Sequence, residues 1–249
     1  MIRIIKAEFY KIKHTWLPYL HGLLPILYAG IFYLAATTTS LKNYDVLAIS
    51  EIYLVLLGAA LPIVFGIITS KVLDMEANAG GFQVLLATPL SRIKVYSGKL
   101  LVLFLGAFFS ISLAVLCFGL LFGQQSLYVW WLEGFLLWLG SLSTYMLHLW
   151  LALSFGAGAT LGLGFAESLL ALLAMTNLGD GIWQFLPATW PARLPATDLL
   201  VRHMADPSHH LHLSQDFERW FYIALPLTMV IFIASLLWFK CWEGQSRTE

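Results

Sequence analysis

Apolar residues along this chain gather into six long runs, near 17–36, 49–70, 100–122, 132–154, 156–176 and 219–239. Each is close to the roughly 20 residues a helix needs to cross the ~30 Å hydrocarbon core of a bilayer. The pattern predicts an all-α membrane protein of six transmembrane helices, folded as a single domain over residues 1–249. Two connecting segments break the rhythm. Residues 71–99, KVLDMEANAGGFQVLLATPLSRIKVYSGK, are rich in charge and turn residues, and residues 177–217 form the longest stretch without a span.

Ahead of the first run, Ile2, Ile5, Phe9, Ile12 and Trp16 recur at steps of three and four, which places them on one helical stripe. Arg3, Lys6 and Lys13 are turned away from it. Residues 1–16 therefore read as a basic amphipathic helix lying in the membrane interface. Within the spans, Pro18, Pro25, Pro62 and Pro226 are read as kinks, which membrane helices tolerate where neighbours re-satisfy the backbone. Gly158 and Gly162 in the fifth run form a G-x-x-x-G step and are expected to let two helices pack closely.

Composition supports the membrane reading. Hydrophobic residues make up 59% and charged residues 11%, and mean hydropathy is +0.79; an ordinary soluble domain carries about 25% charged residues. Charge distribution sets the orientation. With the N-terminus inside, Arg3, Lys6, Lys11, Lys13, Lys71, Arg92, Lys94, Lys99, Lys240 and Arg247 lie on the cytoplasmic side. Lys42, Arg193, Arg202 and Arg219 lie outside. That excess of basic residues puts both termini and the 71–99 loop in the cytoplasm. The acids Asp45, Glu51, Asp180, Asp198, Asp206, Asp216 and Glu218 collect outside, and this arrangement excludes a nucleic-acid partner. No cleavable signal peptide is expected, since a charged segment opens the chain and no small-residue cleavage site follows the first run. Cys117 and Cys241 are too far apart in this topology for a disulfide.

Candidate chemistry is sparse, and no catalytic residues are assigned. Glu167 is the one acid placed deep in the bilayer, where an ionisable group is costly and points either to a translocation path or to a hydrogen-bonded tie between helices. Counted from the outer ends of the runs, it lies level with Ser141 and Thr144, and His148 lies most of two turns deeper. A direct Glu167–His148 pair is therefore not expected. Glu133 falls near the outer end of its run and reads as an interfacial residue. His203, His209, His210 and His212 are weak zinc candidates whose spacing matches no fixed pattern, so no metal site is assigned. The phosphate-binding loop is missing: Gly98-Lys99 is followed by leucine, with no glycine five residues before.

In the 71–99 loop, Glu76, Gly80-Gly81-Phe82-Gln83, Thr88-Pro89-Leu90-Ser91-Arg92 and Gly98-Lys99 resemble the cytoplasmic loop of ABC transporter permeases of the six-span exporter class. Ala77, Asn78 and Ala79 follow the glutamate, where many members carry a basic residue. The resemblance implies a coupling helix that docks on a separate ATP-binding subunit, with Glu76, Gly80, Gly81, Phe82, Gln83, Thr88, Pro89, Ser91 and Arg92 at the contact. Residues 72–86 suit a short amphipathic helix, and Thr88 with Pro89 suits the cap and first turn of the next one. The E-x-x-x-G-x-F-Q string and the outer GDGIWQFLPATWPARL string are similar to lantibiotic immunity permeases. That likeness implies a bacterial plasma-membrane subunit that binds no cofactor, with ATP and Mg held by its partner. It also implies a second permease chain, identical or sister, and an amphipathic antimicrobial peptide as substrate. Export of another antibiotic or a lipid-like compound, or ion-coupled secondary transport, are the alternatives.

Overall fold

A computed structural model describes residues 2–80, 82–87, 90–203 and 207–244; Val84 and residues 207–214 are described by their backbone alone. Among the described residues nine α-helices carry the fold: α1 (Ile2–Lys13), α2 (Leu17–Thr38), α3 (Val46–Asn78), α4 (Gln83–Leu86), α5 (Arg92–Phe122), α6 (Leu127–Phe155), α7 (Ala157–Leu173), α8 (Trp190–His203) and α9 (Pro207–Cys241). Among the described residues, five helices are long and apolar enough to cross a membrane: α2, α3, α5, α6 and the 215–241 part of α9. The fifth expected span, α7, is apolar but has only 17 residues. At 1.5 Å per residue it reaches about 25 Å, short of a full hydrocarbon core.

The outer connection explains the shortfall. Past α7 the chain does not lie as a loose loop over 177–217. Three 3-10 turns lead into α8, and α9 already begins at Pro207. Pro191, Ala192, Leu194, Ala196 and Leu199 of α8 are buried, and its backbone lies against two glycines. A Cβ on Gly58 of α3 would come within 2.5 Å of the Pro191 carbonyl oxygen. One on Gly140 of α6 would come within 3.0 Å of the Trp190 backbone. Gly58 lies twelve residues into α3 and Gly140 thirteen into α6. The start of α8 thus dips roughly 18 Å below the outer ends of those helices. Trp183, Trp190 and Trp220 close the plug with α9.

Several of the acids expected outside have internal partners here. Asp180 pairs with Arg193 at 2.6 Å, and Arg193 also donates to the Ala174 carbonyl at the end of α7. Asp198 pairs with Arg202 one turn on. Asp216 accepts a hydrogen bond from Gln184, and Asp45 caps α3 at the Ala48 N–H. The acidic excess read from the sequence is thus largely structural. Glu133 is not interfacial: it is fully buried beside the Asp198–Arg202 pair, because α8 covers the outer part of α6.

The expected glycine seam is also relocated. No atom lies within 4 Å of a Cβ built on Gly158 or Gly162, since both look outward from α7. The close approach to α3 runs instead through Gly164, where a Cβ would meet the Pro62 carbonyl oxygen at 2.7 Å. Gly66 answers it from α3, facing the Thr160 carbonyl oxygen at 2.9 Å. Gly164→Val should therefore force α3 and α7 apart, at a cost of about 1–3 kcal/mol or more. Gly158→Val within the same helix should leave thermal unfolding of the purified protein nearly unchanged. Equal effects would show that the seam lies elsewhere.

Candidate functional site

The connection between α3 and α5 is built around four charges. Lys99 Nζ donates to Glu76 Oε1 at 2.6 Å and to Glu8 Oε2 at 2.7 Å. Lys11 Nζ reaches the same two carboxylates at 2.8 and 2.9 Å. Lys99, Glu76 and Glu8 are buried, whereas Lys11 is partly open. Two acids and two bases balance, and each carboxylate receives two charge-assisted hydrogen bonds, which is the condition for keeping such charges away from water. Burial alone would raise the Glu76 carboxyl, but the Lys99 charge and the bonds from both lysines hold it below its ordinary value. Desolvation likewise acts against Lys11, yet Glu8 and Glu76 hold its ammonium above the usual lysine value.

The side of α1 that faces the protein is not its apolar stripe, which the sequence reading turns toward acyl chains. The buried residues are Ile4 and Glu8, not Ile2, Phe9 and Trp16. Ile4 sits on Gly98, whose missing side chain makes the room: a Cβ there would meet Ile4 Cγ2 at 2.5 Å. Gly98-Lys99 is therefore a seat and an anchor for α1. Glu8 was missed because its partners are Lys11, one turn away, and Lys99, remote in sequence.

α3 runs past the membrane stretch, its 33 residues spanning about 50 Å, and so absorbs residues 72–78 of the expected coupling helix. Gly80 with φ 95° and Phe82 with φ 68° then turn the chain. What remains of that helix is α4, a single turn over Gln83–Leu86. A left-handed conformation at phenylalanine costs about 1–2 kcal/mol, and its buried ring repays the turn with an edge contact to Trp242, centroids 5.3 Å apart. Arg92 completes the clamp, donating to the carbonyls of Lys240 and Trp242 at 3.2 and 2.7 Å. A guanidinium is favoured there by the unpaired carbonyls that end α9.

Of the residues implied at the coupling contact, Gly80, Gln83 and Ser91 are exposed. Glu76 and Phe82 are buried, and Arg92 is half-buried against α9. These three shape the connection from within. Gly81, Thr88 and Pro89 lie outside the described residues; α5 begins at Arg92. Asp74, Asn78, Ala87 and Lys94 extend the exposed face, an addition to the expected set.

A second polar group crosses the bundle interior. His148 Nε2 lies 3.0 Å from Glu167 Oε2, and His148 Nδ1 lies 2.7 Å from Thr160 Oγ1. Thr160 meets Thr69 at 3.0 Å, and the Thr69 hydroxyl donates to the Phe65 carbonyl at 2.7 Å. The expectation that Glu167 and His148 would not pair is overturned. Counting from the outer ends misjudged depth, because α7 stops at Leu173; counted from the Gly156 reversal, the two differ by about one turn. His203 bonds the Leu199 carbonyl, and the side chains of His209, His210 and His212 lie outside those described.

The family model described as ABC-2 family transporter protein matches residues 4–176, from α1 beyond the end of α7. The chain belongs to that family. It is the multi-pass membrane subunit of an ABC transporter, a transport component and not the ATPase, and such an ABC-2 permease works with an ATP-binding partner. The match takes in the four-charge cluster and the α3–α5 connection, so the candidate site lies within the family's own region. No curated protein matches the sequence.

Proposed function

We propose that this ABC-2 permease is a six-span exporter subunit of a bacterial plasma membrane, with both termini cytoplasmic and α7 as a short fifth crossing. The connection from Asp74 to Lys94 is the surface on which the ATP-binding subunit docks, and ATP and Mg are held by that subunit. The observation that carries this reading is the bracing of the connection. The end of α3 that leads into the turn is tied to α1 and α5 by buried ion pairs, Phe82 at the head of the turn packs on Trp242, and Arg92 after it holds the end of α9, while Gln83, Ala87 and Ser91 stay exposed. Movement imposed on that turn reaches three long helices at once.

A second permease chain, identical or sister, completes the path, and the substrate is an amphipathic antimicrobial peptide of the lantibiotic type. The substrate rests on the E-x-x-x-G-x-F-Q and GDGIWQFLPATWPARL strings. The outer acids lend it little, since several are tied to internal partners. Glu167 acts in this reading as a tie between helices and does not line the path, because its carboxylate is buried against His148. Co-expression with the ATP-binding subunit in a peptide-sensitive bacterium tests the proposal. Cell-bound peptide should fall several-fold, and protection should vanish when the partner's ATP site is disabled. Protection that survives that change but collapses with the membrane potential would favour ion-coupled transport. Protection against another antibiotic and not against peptide would move the substrate class.

A further inference from the structure

We propose that the groove between α1, α2 and α5 holds one anionic phospholipid, its headgroup at Lys6 and Lys13 and an acyl chain along α5. The groove encloses about 610 Å3. Its floor is apolar, formed by Leu17, Ile68 and Leu103, and no acidic side chain lines it. Phe9, Leu105 and Phe109 on its walls are exposed, although a soluble protein would gain by covering them. Gly106 widens the deep part: a Cβ there would come within 3.1 Å of the His21 ring, which Ser110 fixes at 2.6 Å.

The charge at the mouth selects the occupant. Lys11 on the opposite face of α1 is spent on Glu8 and Glu76, but neither Lys6 nor Lys13 forms an ion pair among the described residues. Two ammonium groups above an apolar slot match a phosphodiester joined to acyl chains, and they match neither a zwitterion of no net charge nor a wholly apolar guest. Basic pockets between membrane helices on the cytoplasmic side take such headgroups, and each lysine near an anionic surface favours binding. The apolar stripe of α1 also gains a partner here: exposed Phe9 lines the groove, together with Ile12, whose other side packs against the core. The lipid would wedge α1 against α5, on the side away from Lys99. The proposal rests on the cytoplasmic placement of the N-terminus and is independent of the exported substrate.

Native mass spectrometry of the full-length chain, supplied with phosphatidylglycerol and phosphatidylcholine of identical acyl chains, tests it. Wild type should retain one phosphatidylglycerol, with a preference of roughly tenfold or more expected from two basic contacts. The double variant Lys6→Gln, Lys13→Gln should lose most of that preference while still holding phosphatidylcholine. Leu105→Trp, which fills the open wall, should displace both lipids. All three positions are at the groove surface, so a normal unfolding temperature is expected and is measured alongside. Equal retention of the two lipids by wild type, or an unchanged preference in the double variant, would overturn the proposal. So would displacement of the lipid by inorganic phosphate alone, which would mark a small-anion site. A dimer that Leu105→Trp dissociates, with no lipid bound in wild type, would assign the groove to a second copy of this chain. Because lipid retention is read without transport, failure here and failure of the exporter reading are separable.

Discussion

Lys99→Met should destabilise the protein by about 3–5 kcal/mol, the range observed when one partner of a buried charge cluster is removed. The reason lies in what stays behind. Glu8 and Glu76 are each bound to Lys99, and without it Lys11 alone must answer two carboxylates that α1, α3 and α5 shield from water. Adding Glu8→Gln and Glu76→Gln to Lys99→Met should recover much of the loss, because neutral amides need no counter-charge. Thermal unfolding of the single and triple variants measures both. The same cluster sets a pH window. Glu76 titrates below its unfolded value of 4.5, so its contribution is complete above that pH and is lost as pH falls through the folded value. Lys11 titrates above 10.5, so its contribution is complete below that pH and is lost at still higher pH. Wild-type stability should be flat between these limits as far as this cluster is concerned. Lys99→Met should weaken the acid side first, since Glu76 loses its largest stabilising charge.

His148→Leu should produce the second large loss, about 1–3 kcal/mol, from leaving Glu167 and Thr160 unsatisfied. Hydrogen-bonded pairs in membrane proteins average nearer ~0.6 kcal/mol, but here a single ring joins α6 to two groups on α7 and, through Thr160, to α3. The direction of the bonds makes a finer expectation. Thr69 donates to Phe65, so Thr160 donates to Thr69 and accepts from His148 Nδ1–H. His148 Nε2 and Glu167 must then share one further proton. A glutamine at 167 supplies that proton as an amide N–H, so Glu167→Gln should unfold close to wild type while Glu167→Leu should not. Equal destabilisation by both would show that the carboxylate charge is what matters.

Span positions were legible in the sequence because a bilayer demands long apolar runs, and α2, α3, α5 and α6 contain theirs. What the runs could not show was where helices continue beyond the apolar stretch. α3 and α5 both extend beyond their apolar runs toward each other, because Glu76 and Lys99 are buried by pairing and not by hydropathy. The Gly158–Gly162 step misled for a related reason. A glycine motif marks a surface that permits close approach, but Pro62 and Gly66 on α3 decided that Gly164 would be used. The α8 plug was not visible in the run without a span, because its depth follows from Gly58 and Gly140 on two remote helices.

In the proposed assembly the exposed turn between α3 and α5 meets the ATP-binding subunit. Site-directed crosslinking tests it most directly, with Cys117 and Cys241 replaced by serine and one new cysteine introduced at a time in the assembled transporter. Gln83→Cys and Ala87→Cys should form adducts with the ATP-binding subunit, and Lys42→Cys at the far end of the bundle should not. An adduct at Lys42→Cys with none at Gln83→Cys or Ala87→Cys would contradict the account.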